Sequence, residues 1–144
     1  MKRTILSALM LVCGLMLAIA QKPAQIKFEK TTHNFGNIEV LCSKDGVIKS
    51  LKDGSVPIVV YEFTFTNIGE QPLIINQAIA SCGCTVPEYA KNPVQPGEKG
   101  IIKVTYNGDS KYSGHFKKSI TVRTNGTPEI TRLYIEGDMT EKEK

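Results

Sequence analysis

Apolar and polar positions alternate with period two through most of the chain. In "VVYEFTF", Val59, Tyr61, Phe63 and Phe65 share one face, and Val60, Glu62 and Thr64 the other. "GIIKVTY" sets Ile102, Val104 and Tyr106 against Ile101, Lys103 and Thr105. "FKKSITVRT" sets Phe116, Ile120 and Val122 against Lys117, Ser119, Thr121 and Arg123. In "ITRLYIEG" Leu133 and Ile135 form one face, blurred by Ile130 and Tyr134. Turn signals punctuate these runs, among them Asn34-Phe35-Gly36, Lys44-Asp45-Gly46, Lys52-Asp53-Gly54, Asn67-Ile68-Gly69, Pro96-Gly97 and Asn125-Gly126. Beyond residue 20, no stretch of about ten residues repeats apolar side chains every three and four positions, so no long helix is expected. Short half-buried strands separated by frequent turns predict an all-β sandwich of about seven antiparallel strands. The runs place them at 25–30, 33–40, 57–67, 72–81, 99–107, 116–124 and 129–138.

The connections differ in kind. Residues 67–72 form a tight link, with Pro72 opening a strand where its missing N–H costs least. The stretch 87–100 carries three prolines and reads as a crossover from one sheet to the other, with Pro87 marking where a strand leaves its sheet. Residues 41–56 read as a long hairpin or loop with little core content. The globular domain is expected over 21–138, and the charged residues 139–144 as a flexible tail.

The first twenty residues belong to a different class. Lys2 and Arg3 precede a nearly continuous apolar run from Ile5 to Ala20, ending in the small-x-small Ala18-Ile19-Ala20. This is the pattern of a secretory signal peptide over 1–20, cleaved before Gln21. The run falls short of the roughly 20 residues of a spanning helix, so no stable membrane anchor is expected after cleavage. Val12 before Cys13 does not fit a lipidation site. The localisation expected is the periplasm or the cell surface.

Lys2 and Arg3 account for two of the formal charges in the net +4, leaving +2 on the expected mature chain. So weak a balance, with no basic run longer than Lys117-Lys118, gives no footprint for nucleic acid. Nucleophile elbow, phosphate loop, dinucleotide fingerprint and His-Glu-x-x-His are all missing. His33 and His115 lie beside turn signals, where a surface position is the usual outcome. No enzyme and no cofactor are expected. Asn125-Gly126-Thr127 fits a glycosylation acceptor, but a hairpin turn explains the same residues.

One local feature stands out. "IASCGCTVPEY" places Cys82 and Cys84 around Gly83, with Cys42 the only other cysteine beyond residue 20. Three readings compete. Two thiolates on one strand face are a candidate soft-metal or redox site, Cu(I) or half of a zinc site, with Cys42 as a third ligand. A disulfide between Cys82 and Cys84 must close from about 6.6 Å in extended chain, at the upper edge of disulfide reach; a link from Cys42 to either would instead close about 40 residues. Finally, the pair can be structural, small residues at a corner that glycine lets the strand turn. The structural reading is preferred.

Taken together, "NFGNI", "FTFTNIGEQPLIINQAIASCGCTVPEY", "PVQPGEKGIIKVTYN", "GHFKKSITVRTN" and "LYIEGD" resemble the exported bacterial family called domain of unknown function 1573, of the Hydin-type, immunoglobulin-like class. The resemblance covers about residues 26–138, and Ser81-Cys82-Gly83-Cys84-Thr85 followed by Pro87 is its most specific piece. It implies an immunoglobulin-like sandwich, export, and no defined activity. Residues 41–56 depart from it, as an insertion where the family tends to have a short turn. The function expected is a non-enzymatic module binding a protein or cell-envelope component, with thiol or soft-metal chemistry at Cys82 and Cys84 as the alternative.

Overall fold

The computed structural model describes residues 21–142. The expected signal peptide, residues 1–20, lies outside the described residues. The chain forms the all-β sandwich that the alternation predicts, from nine strands: β1 (Ile26–Phe28), β2 (Thr32–Cys42), β3 (Ile48–Leu51), β4 (Ile58–Asn67), β5 (Ile75–Ala80), β6 (Thr85–Tyr89), β7 (Lys99–Asn107), β8 (Gly114–Thr124) and β9 (Ile130–Glu141). One sheet has the order β1-β4-β7-β6 and the other β3-β2-β9-β8-β5.

The inward faces are those read from the sequence. Phe63, Phe65, Ile102 and Val104 from one sheet meet Ile120, Val122, Leu133 and Ile135 from the other, all buried. Each such side chain contributes about 1.5–3 kcal/mol by leaving water. Aromatic contacts bridge the sheets. His33 on β2 stacks on Tyr61 of β4 with ring centroids 3.6 Å apart, and Tyr106 of β7 stacks on Phe116 of β8 at 4.2 Å.

Several expectations are corrected. Among the described residues there are nine strands, and β2 pairs with β9 in parallel, so the sandwich is not wholly antiparallel. Asn34-Phe35-Gly36 is a bulge within β2, where that ladder shifts register; Asn34 Oδ1 accepts the Gly36 N–H at 2.7 Å and Gly36 sits at φ 69°. The expected tail is strand as far as Glu141, because Met139 is buried in the core and Thr140 and Glu141 pair with Glu39 and Val40. The 41–56 segment is not peripheral: β3 closes an edge of the larger sheet and its Ile48 is wholly buried.

The crossover also lies elsewhere than expected. Both β6 and β7 lie in the smaller sheet and pair with each other, so residues 90–98 return within one sheet. The change of sheet takes place in the four residues between β5 and β6. Pro87 therefore lies inside a strand. The Asn107 N–H donates to the Cys84 carbonyl at 2.8 Å, so the alternation of the antiparallel ladder leaves position 87 facing away from β7. An edge strand tolerates proline there.

Candidate functional site

Residues 81–84 form the corner where the chain passes from the larger sheet to the smaller. β5 ends as the Ser81 N–H donates to the Ser119 carbonyl at 2.9 Å. The Thr85 N–H then turns back to the Cys82 carbonyl at 3.3 Å, and β6 begins. Because the chain bends here, the Cα atoms of Cys82 and Cys84 come to 5.3 Å and the two sulfurs are joined as a disulfide. The extended-chain distance that counts against this bond does not apply at a corner. The Thr85 hydroxyl lies 3.5 Å from Cys82 Sγ and 3.9 Å from Cys84 Sγ. Gly83 is not what makes the turn possible. A Cβ there meets nothing within 4 Å, and its φ is outside the left-handed region.

This geometry bears directly on the soft-metal reading. With Cys82 and Cys84 bonded to each other, neither offers the thiolate that a soft metal binds. Cys42 is free, but it lies on β2, and β9 and β8 separate that strand from β5. Three strand spacings are about 14 Å, so Cys42 is brought to neither partner, as a disulfide mate or as a third ligand. Among the described residues no three His, Cys, Asp or Glu side chains gather as a metal-binding group. The histidines are also apart. His33 is packed among aromatic rings, against the surface expectation, and its pKa is lowered by burial and then by the nearby Lys30 charge. His115 is exposed and Nδ1 lies 2.9 Å from Asp138 Oδ1.

The strand that leads into the corner is the more open feature. β5 ends the larger sheet, and among the described residues no strand pairs with its far side. Residues 71–87 contain no charged side chain, a signal already legible in the sequence. Ile79 is 52% exposed on the outer face. Of the β8 residues in register with β5, Arg123 is the charged one and none is acidic; Lys117 and Lys118 lie beyond that ladder on the same strand. Glu136 pairs with Lys117 at 3.0 Å.

Three further arrangements are not legible in the sequence. Asn67, wholly buried, ties three segments together. Its Oδ1 accepts from the backbone N–H groups of Gln25 (3.3 Å) and Gly69 (3.0 Å), and its Nδ2 donates to the carbonyls of Gln71 (2.8 Å) and Val94 (2.9 Å). The Asn67-Ile68-Gly69 turn signal marks the place without disclosing these partners. Beside the 41–56 hairpin, Ile38, Glu39, Leu51 and Lys52 line a shallow groove, with Lys52 and Glu39 paired across it. Asn125 braces the start of the segment leading to β5: its Nδ2 donates to the Pro72 carbonyl at 3.1 Å and its Oδ1 accepts the Ile74 N–H at 2.7 Å.

The family model described as "Protein of unknown function (DUF1573)" matches residues 26–139. No curated protein matches the chain in sequence. Among solved structures, a protein of unknown function from Porphyromonas gingivalis W83 superposes with a TM-score of 0.61 at 11% identity, over 88% of this chain and 51% of its own. The chain thus spans about half the length of that protein. The ASH / PapD-like domain 7 of human CEP192 gives 0.59 at 9% identity, over 84% of this chain and 89% of the domain. The Vibrio cholerae VesB protease gives 0.53 at 14% identity, over 81% of this chain and 32% of the protease. At these identities the likeness is one of fold, an immunoglobulin-like sandwich.

Proposed function

The chain belongs to the DUF1573 family, and from that premise we propose that it is an exported, non-enzymatic module that binds a protein or cell-envelope component at the periplasm or cell surface. The observation that carries this reading is a two-sheet scaffold with an uncharged outer edge and apolar side chains, Ile79 and Val86, exposed on either side of its disulfide corner. Sheet edges and the loops of rigid scaffolds are where such modules take partners. The disulfide suits an oxidising compartment, in keeping with the signal-like residues 1–20. The PapD-like likeness supports a binding role by fold analogy alone.

Deleting 41–56 would not test this, since it removes the buried Ile48. A photo-crosslinking side chain at Ile79, and separately at the exposed Lys49 of the hairpin, tests it in intact cells alongside fractionation. The expected result is protein outside the cytoplasm and a discrete higher-mass adduct from at least one position. Cytoplasmic protein, or no adduct from either position, overturns the reading.

A further inference from the structure

We propose that the free edge of β5 is a strand-addition site that takes an extended, neutral-to-acidic peptide segment of a partner protein. This deepens the binding reading above and rests on it.

The backbone supplies the site. The Ser81 N–H donates to Ser119, and stepping back by twos along the antiparallel β5–β8 ladder puts Ile79 opposite Thr121 and Gln77 opposite Arg123 in hydrogen-bonded pairs. The N–H and C=O groups of Ala78 and Ala80 therefore point away from β8, toward open solvent. They form a row of two donors and two acceptors at the spacing another strand presents.

The other edges are closed to such a partner. β1 has three residues, and its Ile26 N–H is already given to the Thr127 carbonyl at 3.2 Å. β3 is covered by the 110–113 segment, which bonds Ile48 through both its N–H (2.8 Å, to Lys111) and its carbonyl (3.2 Å, from Ser110). β6 carries Pro87, whose missing N–H breaks the outward row. Proteins ordinarily protect an open edge with lysine, proline or an inward charge. β5 has none of these; its only irregularity is the bulge between Ile75 and Gln77, which precedes Ala78 and Ala80.

The side chains select the occupant. Ile79 offers an apolar contact beside the added strand. Arg123, aligned with Gln77 and given no acidic partner among the described residues, is long enough to reach over the edge strand to a carboxylate on its neighbour. A second copy of this chain would bring its own Arg123 to the same seam, so an acidic peptide is the better match.

The test uses the purified chain and an eight-residue capped peptide of alternating valine and threonine with one aspartate near its centre, together with the same peptide N-methylated at alternate residues. Hydrogen exchange should slow at the amides of Ala78 and Ala80 when the unmodified peptide is added. Alternate N-methylation should weaken binding by about tenfold or more, as loss of backbone donors requires, and added salt should weaken it through Arg123. Ala78→Pro removes an outward N–H while sparing the β5–β8 ladder and should reduce affinity by a similar factor; the methylated peptide gives the answer even where that variant folds poorly. Protection elsewhere or nowhere, equal binding of the methylated peptide, or a peptide-independent dimer abolished by Ala78→Pro each overturns the proposal. A cellular adduct at Ile79 that persists in Ala78→Pro overturns the edge as the site and leaves the binding reading standing, whereas absence of any adduct without that substitution overturns the binding reading itself.

Discussion

Cys82 and Cys84 are joined across a single residue, at the point where the chain changes sheet, with Cα atoms 5.3 Å apart. Alkylation without reduction should therefore label Cys42 alone among the cysteines beyond residue 20, and reduction should expose two more thiols, read by intact mass. The closed loop is so small that the chain-entropy contribution is only about 1.5 kcal/mol. Replacing both cysteines by serine should cost about that much in a denaturant titration. Gly83→Ala, whose added methyl enters open space, should change stability by less than about 0.5 kcal/mol. Three labelled thiols in unreduced protein would contradict the bond.

Asn67 is a polar side chain at the heart of the packing, and it is there because it serves four backbone groups at once. Asn67→Ala leaves the Gln25 and Gly69 N–H groups and the Gln71 carbonyl without their partner, while the Val94 carbonyl keeps the Leu73 N–H. The expected loss is about 3 kcal/mol or more, since each orphaned buried group costs roughly 1–3 kcal/mol. Asn67→Asp keeps the acceptor and loses the two donated bonds, and should fall between alanine and the native residue. A loss below about 1 kcal/mol for alanine would mean that the loops 68–72 and 90–98 are held by other contacts.

Thr131 presents the opposite case. Its Oγ1 is buried and has no hydrogen-bond partner among the described residues. Valine has nearly the same shape and no hydroxyl to leave unsatisfied. Thr131→Val should raise stability by about 1 kcal/mol, measured as a higher denaturant midpoint at unchanged slope.

His33 gives the fold a dependence on pH. Burial, and then Lys30, hold its pKa below the ordinary histidine value. The unfolded chain takes up the proton first as pH falls, near about 6.5, so stability is full above that value. It then declines until the folded-state pKa is passed. Glu39, bonded to Lys52, and Asp53, bonded to Ser55, have lowered pKa values, and their contribution is lost at lower pH still. His33→Phe keeps the stack on Tyr61 and should flatten the decline that sets in as pH falls through about 6.5; an unchanged profile would place its origin elsewhere.

The alternation of Phe63 and Phe65, or of Ile102 and Val104, discloses the sandwich because a half-buried strand needs that period. Alternation does not carry strand order, so nothing in the sequence discloses that β2 runs parallel to β9. Met139 reads as tail because the residues after it are charged, although its own spacing continues the inward row Leu133, Ile135, Gly137. Extended-chain distances count against the disulfide only because they ignore that the segment bends. The disulfide between Cys82 and Cys84, one of the three readings and not the preferred one, is what is found, at a corner of the kind the preferred structural reading expects. The uncharged run 71–87 is visible in the sequence throughout, but it acquires meaning only once β5 is seen to be an edge.

The 41–56 segment provides the sharpest contrast between composition and placement. Its lysines, aspartates, glycines and serines read as loop, and between Cys42 and Val56 only Val47, Ile48 and Leu51 are apolar. Yet Ile48, opposite Cys42, is wholly buried in the core, and its backbone is bonded to the 110–111 segment. Ile48→Ala should therefore cost about 2–4 kcal/mol, the range for a fully buried isoleucine. Lys49→Ala, on the exposed face of the same four-residue strand, should change stability by no more than about 0.5 kcal/mol. The two substitutions separate a hairpin that completes the core from one that only decorates it. A small effect for Ile48→Ala would return the segment to the surface role its composition implies.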